Sequence, residues 1–454
     1  MLTCAAEATA LRPCRAGMTF ALLCLTGCGG GGASHLSPPT YTIGGSVSGL
    51  AAGQQVVLTD NMSDSLTVSA NGTFTFKIAV AADGSYSVNV ATQPAGVTCR
   101  VTNGSGSMVM SDVTTVTVIC SAPPRYAYVV NNGDQTVSQY TVSAMGGLTP
   151  MNPATVATGT SPQSVTADPL GRYVYVANKQ DNTVSQYTIG AGGVLAPMTP
   201  PTITTGNQPW AVAVDPAASH AYVLNSADRT ISEYTIGAGG ALTPAVPANV
   251  VATGTQPWGI TIDPAGHYVY VGNSKDNTVS QYAIGAMGAL MPLSPPTALS
   301  GAFPSGIAVN PTSLYAYVAD LTDNTVSQYS IGTDGALSPL NPATALTNGT
   351  QPVYVAVDPG GANAYVANNF VLGAGTISQF KIGSNGALTP AAAVNAGKGP
   401  AWIAIERTGQ YAYVTNISDN TVSQYAIGTD GSLTPLSVPT VATGTKPFAV
   451  TIVH

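Results

Sequence analysis

The feature that most constrains the fold is a short unit of strand, turn, strand and turn that recurs along most of the chain. The last copy, residues 411–435, is the clearest. Tyr411 to Val414 alternate with the period of two of a half-buried strand, Asn416 to Asn420 are polar and turn-forming, and a second alternating run ends in a glycine-rich turn. Such a unit cannot bury its own apolar face, so it must stack against copies of itself.

The copies are present at a regular spacing. A tyrosine that opens the pattern Tyr-Val-x-Asn, or a close variant of it, recurs every 47 or 48 residues, at Tyr128, Tyr175, Tyr222, Tyr270, Tyr317, Tyr365 and Tyr413. A proline that opens a strand rich in Val and Ile recurs with the same spacing, at Pro162, Pro209, Pro257, Pro304, Pro352, Pro400 and Pro447. Seven copies, each with four short strands and no helix, predict an all-β fold that contains a seven-bladed β-propeller.

Two sequence motifs in these repeats resemble those of a known protein family. Tyr-Val-Thr-Asn at 413–416 resembles the YVTN-type propeller repeat, and the phrase that begins Thr-Val-Ser-Gln-Tyr at 421 is similar to the seven-bladed lactonase family that includes 6-phosphogluconolactonases. The resemblance covers roughly residues 124–454. It implies a lactone hydrolase, in which a base or a metal activates water and a positive group stabilises the oxyanion.

Chain order predicts how the ring closes. The propeller begins at Arg125 with what is the second strand of a blade, and it ends at 448–453 with an innermost strand that has no blade behind it. We therefore predict that the last strand supplies the missing first strand, which leaves no sheet edge open.

The first residues read as an export signal rather than as part of a fold. Arg12 and Arg15 precede the apolar run 18–25, which is too short to span a membrane. The sequence Leu-Thr-Gly-Cys that ends at Cys28 resembles the lipobox of bacterial lipoproteins, and this implies cleavage before Cys28 and lipidation of its sulfur. An ordinary secretory leader is the alternative.

These features predict a signal peptide at 1–27 and a flexible tether at 28–39. The lipoprotein resemblance implies a membrane contact through the lipid anchor at the cell envelope, and Gly29 after the cysteine favours the outer membrane.

Residues 40–122 follow a different pattern of short strands separated by Gly, Asn and Asp turns, and this predicts a small Ig-like β-sandwich or a carboxypeptidase-regulatory-like module. We expect it to space the propeller, residues 123–454, from the membrane. Cys99 and Cys120 are the two cysteines that remain beyond Cys28, so we predict that they form a disulfide in an oxidising compartment.

Charge excludes one class of partner. The chain has 13 Lys and Arg against 20 Asp and Glu, so no basic surface is expected to hold nucleic acid. Acidic or amide residues recur six positions after the prolines, at Asp168, Asp215, Asp263, Asn310, Asp358 and Glu406. A ring of carboxylates could hold a cation, but sequences such as Asp-Pro-Ala-Gly at 263–266 favour the capping of tight turns. We predict no metal and no cofactor.

Large apolar residues collect at the other end of the channel. The ligand-binding candidates there are Trp210, Trp258, Tyr354, Phe370, Trp402 and Phe448, with Phe370 contributed by an insertion in the sixth copy. Aromatic side chains at a concave mouth can stack on a ligand or anchor a partner. The alternative, which we favour, is that they plug the channel or pack between blades.

Catalytic residues are not evident. The four histidines are His35, His220, His267 and His454, and the innermost strands carry no cation apart from Arg407 in the turn that follows the sixth of them. We assign no catalytic residue. The sequence therefore predicts a non-catalytic, lipid-anchored module that binds an unidentified protein or small molecule at a propeller face, with a lactonase-type hydrolase as the alternative.

Overall fold

The computed structural model describes residues 38–50, 53–94, 97–107, 110–121, 123–245, 250–369 and 374–454. The chain divides into two compact units, Met1–Ser121 and Ala122–His454. Within the described ranges the regular structure is strand apart from two short 3-10 turns, Ala191–Gly193 and Ala286–Gly288, so the predicted all-β class is confirmed. No helix in this part of the chain is long and apolar enough to cross a membrane. The predicted signal peptide, the tether up to residue 37 and Cys28 lie outside the described residues.

The described residues of the first unit form two four-stranded sheets, in the orders β5-β2-β10-β8 and β4-β3-β7-β9, and a two-stranded sheet, β1-β6. Their strands are β1 Thr40–Tyr41, β2 Ile43–Ser48, β3 Val56–Asp60, β4 Asp64–Val68, β5 Gly72–Thr75, β6 Val80–Ala81, β7 Ser85–Thr92, β8 Thr98–Thr102, β9 Ser105–Ser107 and β10 Val113–Ser121. Side chains from both four-stranded sheets, among them Val47, Leu58 and Val118, share one buried core. Cys99 and Cys120 form a disulfide between β8 and β10. Assignment of this unit as Ig-like stays a prediction.

The second unit contains seven sheets, which are named blades 1 to 7 in chain order of their second strands. Blade 1 contains β11 Arg125–Asn131, β12 Thr136–Val142 and β13 Leu148–Ala157; blade 2 contains β14 Pro162–Ala167, β15 Tyr173–Asn178, β16 Thr183–Ile189 and β17 Leu195–Thr204; blade 3 contains β18 Pro209–Val214, β19 His220–Asn225, β20 Thr230–Ile236, β21 Leu242–Pro244 and β22 Val250–Ala252. Blade 4 contains β23 Pro257–Ile262, β24 Tyr268–Asn273, β25 Thr278–Ile284 and β26 Leu290–Leu299; blade 5 contains β27 Pro304–Val309, β28 Tyr315–Asp320, β29 Thr325–Ile331 and β30 Leu337–Leu346. Blade 6 contains β31 Pro352–Val357, β32 Asn363–Asn368, β33 Ala374–Ile382 and β34 Leu388–Lys398; blade 7 contains β35 Pro400–Ile405, β36 Tyr411–Asn416, β37 Thr421–Ile427 and β38 Leu433–Ala442.

The last strand closes the ring as predicted. β39, Pro447–Val453, pairs antiparallel with β11, with Val450 opposite Val129 and Val453 opposite Tyr126, so blade 1 has the order β13-β12-β11-β39. Val450 and Val453 are buried in the cores that join this blade to its two neighbours.

The repeated signature residues stabilise the ring. Each signature tyrosine donates its hydroxyl to a glycine carbonyl of the next blade, from Tyr128 to Gly193 at 2.5 Å through to Tyr413, which reaches Gly146 of blade 1 at 2.7 Å. The glutamine of Thr-Val-Ser-Gln-Tyr accepts the backbone N–H of a leucine in the next blade, as Gln139 does from Leu195 at 2.7 Å. These tyrosine and glutamine side chains form hydrogen bonds between adjacent blades. The motif that carries the family likeness is therefore explained by its role in the fold.

One blade departs from the signature at a buried position. Six blades carry an asparagine at the end of the second strand, and its amide donates to Thr and Ser hydroxyls of the third strand, as Asn273 does to Ser280 at 2.8 Å. Blade 5 carries Asp320 there, fully buried, and its carboxylate accepts from Ser327 at 2.7 Å and from Ser300 at 2.9 Å. Burial raises the pKa of Asp320 to about 6, against the pull of these hydroxyl bonds.

Candidate functional site

Polar turns organise one end of the central channel, here called the proline end because the innermost strands begin there. Asp181 in the turn between β15 and β16 accepts the backbone N–H of Thr160 at 2.6 Å, and Asn182 accepts that of Gln208 in the next blade at 2.8 Å. Equivalent bonds recur in other blades, for example from Thr255 to Asp276 at 2.5 Å. The Asn and Asp residues of these turns therefore fix the loops that lead into the strands with the aromatic side chains.

The opposite end of the channel, here called the acid end, bears the residues six positions after the prolines. Asp263 accepts the backbone N–H groups of His267 and Tyr268, both at 2.6 Å, and Asp358 accepts those of Ala362 and Asn363 at 2.8 and 3.0 Å. These side chains cap turns, as the sequence favoured. No group of three or more His, Cys, Asp or Glu residues in the described ranges is arranged to hold a metal ion.

A cavity of about 820 Å³ occupies the channel between the two ends. Its wall combines Trp258, Tyr354, Trp402 and Phe448 near the proline end with small residues such as Ala213 deeper in. Among the described residues that line it, none is an acid, a histidine or a cation. Its volume is within the range of small-molecule sites, and its wall offers rings, methyl groups, hydroxyls and amides.

The aromatic candidates form two groups. Tyr354 and Trp402 are stacked, with ring centroids 3.8 Å apart and an interplanar angle of 23°. The ring centroids of Trp258 and Trp210 are 4.3 Å apart. The Trp210 ring contacts the Phe448 ring edge-on, with centroids 6.0 Å apart. Four of these rings line the cavity, whereas Trp210 is not part of its wall and packs beside it.

Lys179 of a proline-end turn places its ammonium group 4.8 Å from the centroid of the Trp210 ring. Trp210 is therefore engaged in a cation–π contact with another residue of the protein. The sixth sequence candidate, Phe370, lies outside the described residues.

Sequence reasoning missed several residues of this site. Phe303, directly before Pro304, has a φ of 60° and contacts Trp258 with centroids 5.5 Å apart. Gln351 also precedes a proline, and with Asn369 it lines the cavity. The sequence did contain a signal for Phe303 and Gln351. Both directly precede a strand-opening proline, at the end of a loop, whereas the predicted residues lie one or two positions after such a proline, at the start of a strand.

A second group of side chains lies at the acid end. The Glu406 carboxylate is fully buried, forms an ion pair with Arg125 and accepts the hydroxyl of Thr408. Beside it, the Nε2 atom of His454 accepts the backbone N–H of Arg407 at 2.9 Å. Burial lowers the pKa of His454, so its imidazole is neutral near pH 7. A cavity of about 320 Å³ is lined by Arg407 and His454.

This acid-end group was not assembled from the sequence, since its members are far apart along the chain. The pairing of β39 with β11 brings the end of the chain beside the turn after β35.

Comparison with known proteins fits this architecture. A family model described as a lactonase with a seven-bladed β-propeller matches residues 117–300, 286–389 and 372–454. The chain belongs to this lactonase family. No curated protein matches it.

Solved structures share the fold of this lactonase-family propeller. A protein of Bacteroides fragilis assigned as a 6-phosphogluconolactonase is 19% identical with a TM-score of 0.65, over 73% of this chain and 98% of that chain. A similarly assigned protein of Bacteroides uniformis is 17% identical with a TM-score of 0.63, over 73% and 99%. The periplasmic gluconolactonase of Pseudomonas aeruginosa is 17% identical with a TM-score of 0.62, over 73% and 99%. At these identities the likeness establishes the fold alone.

Proposed function

We propose that this lactonase-family propeller is an exported, lipid-anchored module of the cell envelope that binds a ligand in its central cavity without transforming it. One observation carries the proposal. The described wall of the main cavity holds aromatic rings and hydroxyl and amide groups but no acid, histidine or cation. Lactone hydrolysis needs a group that activates water and a positive group near the developing oxyanion.

Phosphorylated lactones fit this cavity poorly for the same reason. A phosphate carries nearly two negative charges at neutral pH, and its transfer into an apolar site without a positive partner is strongly unfavourable. Lys179, a cation near the proline end, is held against Trp210, which lies beside the cavity wall.

A lactone assay tests the absence of turnover. The purified propeller is incubated with glucono-δ-lactone and with 6-phosphogluconolactone, with and without a chelator, and acid release is followed in a pH-stat. We expect rates equal to spontaneous hydrolysis in each case. Turnover that exceeds the blank, and that is lost with the heat-inactivated protein, would contradict the binding-module proposal.

A lactone hydrolase is the second candidate, favoured by the acid-end group. His454 is a neutral imidazole beside Arg407, with the buried Arg125–Glu406 pair directly behind it. His454 would act as the base once water replaces the Arg407 N–H at its Nε2 atom, and the Arg407 side chain at the same small cavity would supply the positive group. A base and a cation are the minimum that the reaction requires. If the lactone assay shows turnover, Arg407→Ala should abolish it for this candidate, whereas Trp402→Ala at the far end should leave it unchanged.

Export and lipidation can be tested at Cys28. The lipobox resemblance predicts that the mature protein begins at this cysteine and carries lipid on its sulfur. In cells fed radiolabelled palmitate we expect label in the wild type and none in Cys28→Ser, which should accumulate at the mass of the uncleaved chain. Cys24→Ser is the matched control, since it leaves the lipobox cysteine in place. Equal labelling of the wild type and Cys28→Ser would refute the anchor.

A further inference from the structure

Three residues that line the central cavity carry a hydrogen-bond donor with no partner in the described chain. The hydroxyls of the seven signature tyrosines all donate to carbonyls, for example Tyr365 to Gly431 at 2.7 Å. Tyr354 lines the cavity, and no hydrogen bond within the described part of the chain engages its hydroxyl. Because burial raises the pKa of Tyr354, its phenol stays protonated and remains a donor at neutral pH.

The indole N–H groups of two wall residues also lack a hydrogen-bond partner in the part of the chain that the structure describes. Neither Trp258 nor Trp402 donates its indole N–H within the described residues, although both side chains line the cavity. An indole is a donor only, and a protonated phenol is most effective as one. These three donors have no partner in the described chain, so a matching ligand supplies acceptor oxygens.

The wall also selects for shape. The stacked rings of Tyr354 and Trp402 both belong to residues of the wall, and Gly259 and Gly306 line the same cavity. A Cβ atom at Gly306 would lie 2.6 Å from the Tyr354 Cα, and a Cβ atom at Gly259 would lie 2.2 Å from the Ser305 carbonyl oxygen. Only glycine fits at these two positions without displacing the adjacent blade, so no side chain covers the wall there, beside the stacked rings in the case of Gly306.

From these observations we propose that the cavity takes an uncharged, flat aromatic or conjugated compound whose carbonyl oxygen accepts a hydrogen bond from the Tyr354 hydroxyl. This inference rests on the proposed ligand-binding function and specifies its chemistry. Charged compounds are disfavoured because the wall offers no counter-charge. Neutral sugars are disfavoured because most of the described wall is apolar, and sugar hydroxyls placed against it lose their hydrogen bonds to water.

Four probes separate these features: methyl 2-naphthyl ketone, naphthalene without the acceptor, 2-naphthoate with a charge, and methyl β-glucoside as a neutral sugar. Binding to the whole protein is measured by calorimetry and by tryptophan fluorescence. A hydrogen bond between neutral partners stabilises by about 1 kcal/mol, so we expect the ketone to bind about fivefold more tightly than naphthalene. Naphthoate and the glucoside should bind more weakly than either.

Three variants locate the interaction. Tyr354→Phe should remove the fivefold preference for the ketone and leave naphthalene affinity unchanged, while Trp402→Ala should weaken both. Tyr413→Phe is the matched control, because Tyr413 donates to Gly146 between blades, away from the cavity. It should keep the preference even if its melting temperature falls.

The outcomes distinguish the two levels of the proposal. If naphthoate or the glucoside binds most tightly and Trp402→Ala abolishes that binding, the cavity is a site but the stated ligand class is wrong. If Tyr354→Phe keeps the ketone preference, the hydrogen bond is refuted. If no probe shows binding that depends on Trp402, both this inference and the proposed binding function are overturned.

Discussion

Removal of residues 447–454 is expected to abolish the folded propeller. β39 is the innermost strand of blade 1, and Val450 and Val453 are buried against the two neighbouring blades. Burial of two valine side chains alone contributes about 3–6 kcal/mol. The deletion also leaves the inner edge of β11 unpaired, so the total loss is comparable with the whole stability of a domain, about 5–15 kcal/mol.

The truncated chain should be recovered mainly as aggregate, and any soluble fraction should lose the cooperative thermal transition seen for the whole protein by circular dichroism. Hydrogen exchange should then show β11 without protection. Deletion of His454 alone is the control. His454 follows β39, so its deletion removes the hydrogen bond with Arg407 but leaves the strand in place. A truncated propeller that melts with the temperature and cooperativity of the full chain would show that β39 is not the closing strand.

Replacement of Asp320 by asparagine is expected to stabilise the protein by about 3 kcal/mol above pH 6. The pKa of this buried carboxyl rises from 3.8 to about 6 on folding, and each pKa unit is worth about 1.4 kcal/mol. Between those two values the folded protein holds a proton that the unfolded chain has released, so wild-type stability falls as the pH rises through this window. Below pH 4 the advantage of Asp320→Asn should vanish.

Urea unfolding at pH 4, 5, 6 and 7.5 measures this effect. Asn273→Asp is the mirror-image control, because it places a carboxylate at the same position of blade 4, where the amide donates to Thr278 and Ser280. That variant should lose stability over the same pH range in which Asp320→Asn gains it. A gain that is equal at pH 4 and pH 7.5 would mean that packing, and not ionisation, separates the two residues.

The fold could be predicted because its information is periodic. A tyrosine at every 47 or 48 residues fixes the number of blades, and a chain that begins on a second strand must find its first strand at the other end. Both expectations are physical consequences of an apolar face that a single repeat cannot bury. The turn-capping role of Asp263 followed in the same way, from the residue order of a tight turn.

The site was predicted only in part, since it depends on what breaks the repeat. Trp258, Tyr354, Trp402 and Phe448 were found because they are aromatic residues one or two positions after a strand-opening proline. Trp210 is absent from the cavity wall and contacts Lys179 instead, and no spacing in the sequence reveals either fact. The acid-end group required the path of β39, which brings Arg125 to Glu406 across 281 residues and His454 to Arg407 across 47.

The pairing of β39 with β11 also determines when the propeller can close during its synthesis. A ribosome completes β11 more than 300 residues before β39 exists, so the nascent propeller stays an open arc with one bare strand edge throughout its synthesis. Bare edges recruit strands from other molecules, and a folded arc held in the cytosol would be exposed to that hazard. The export proposed above would avoid this hazard if the chain crossed the membrane before it folds.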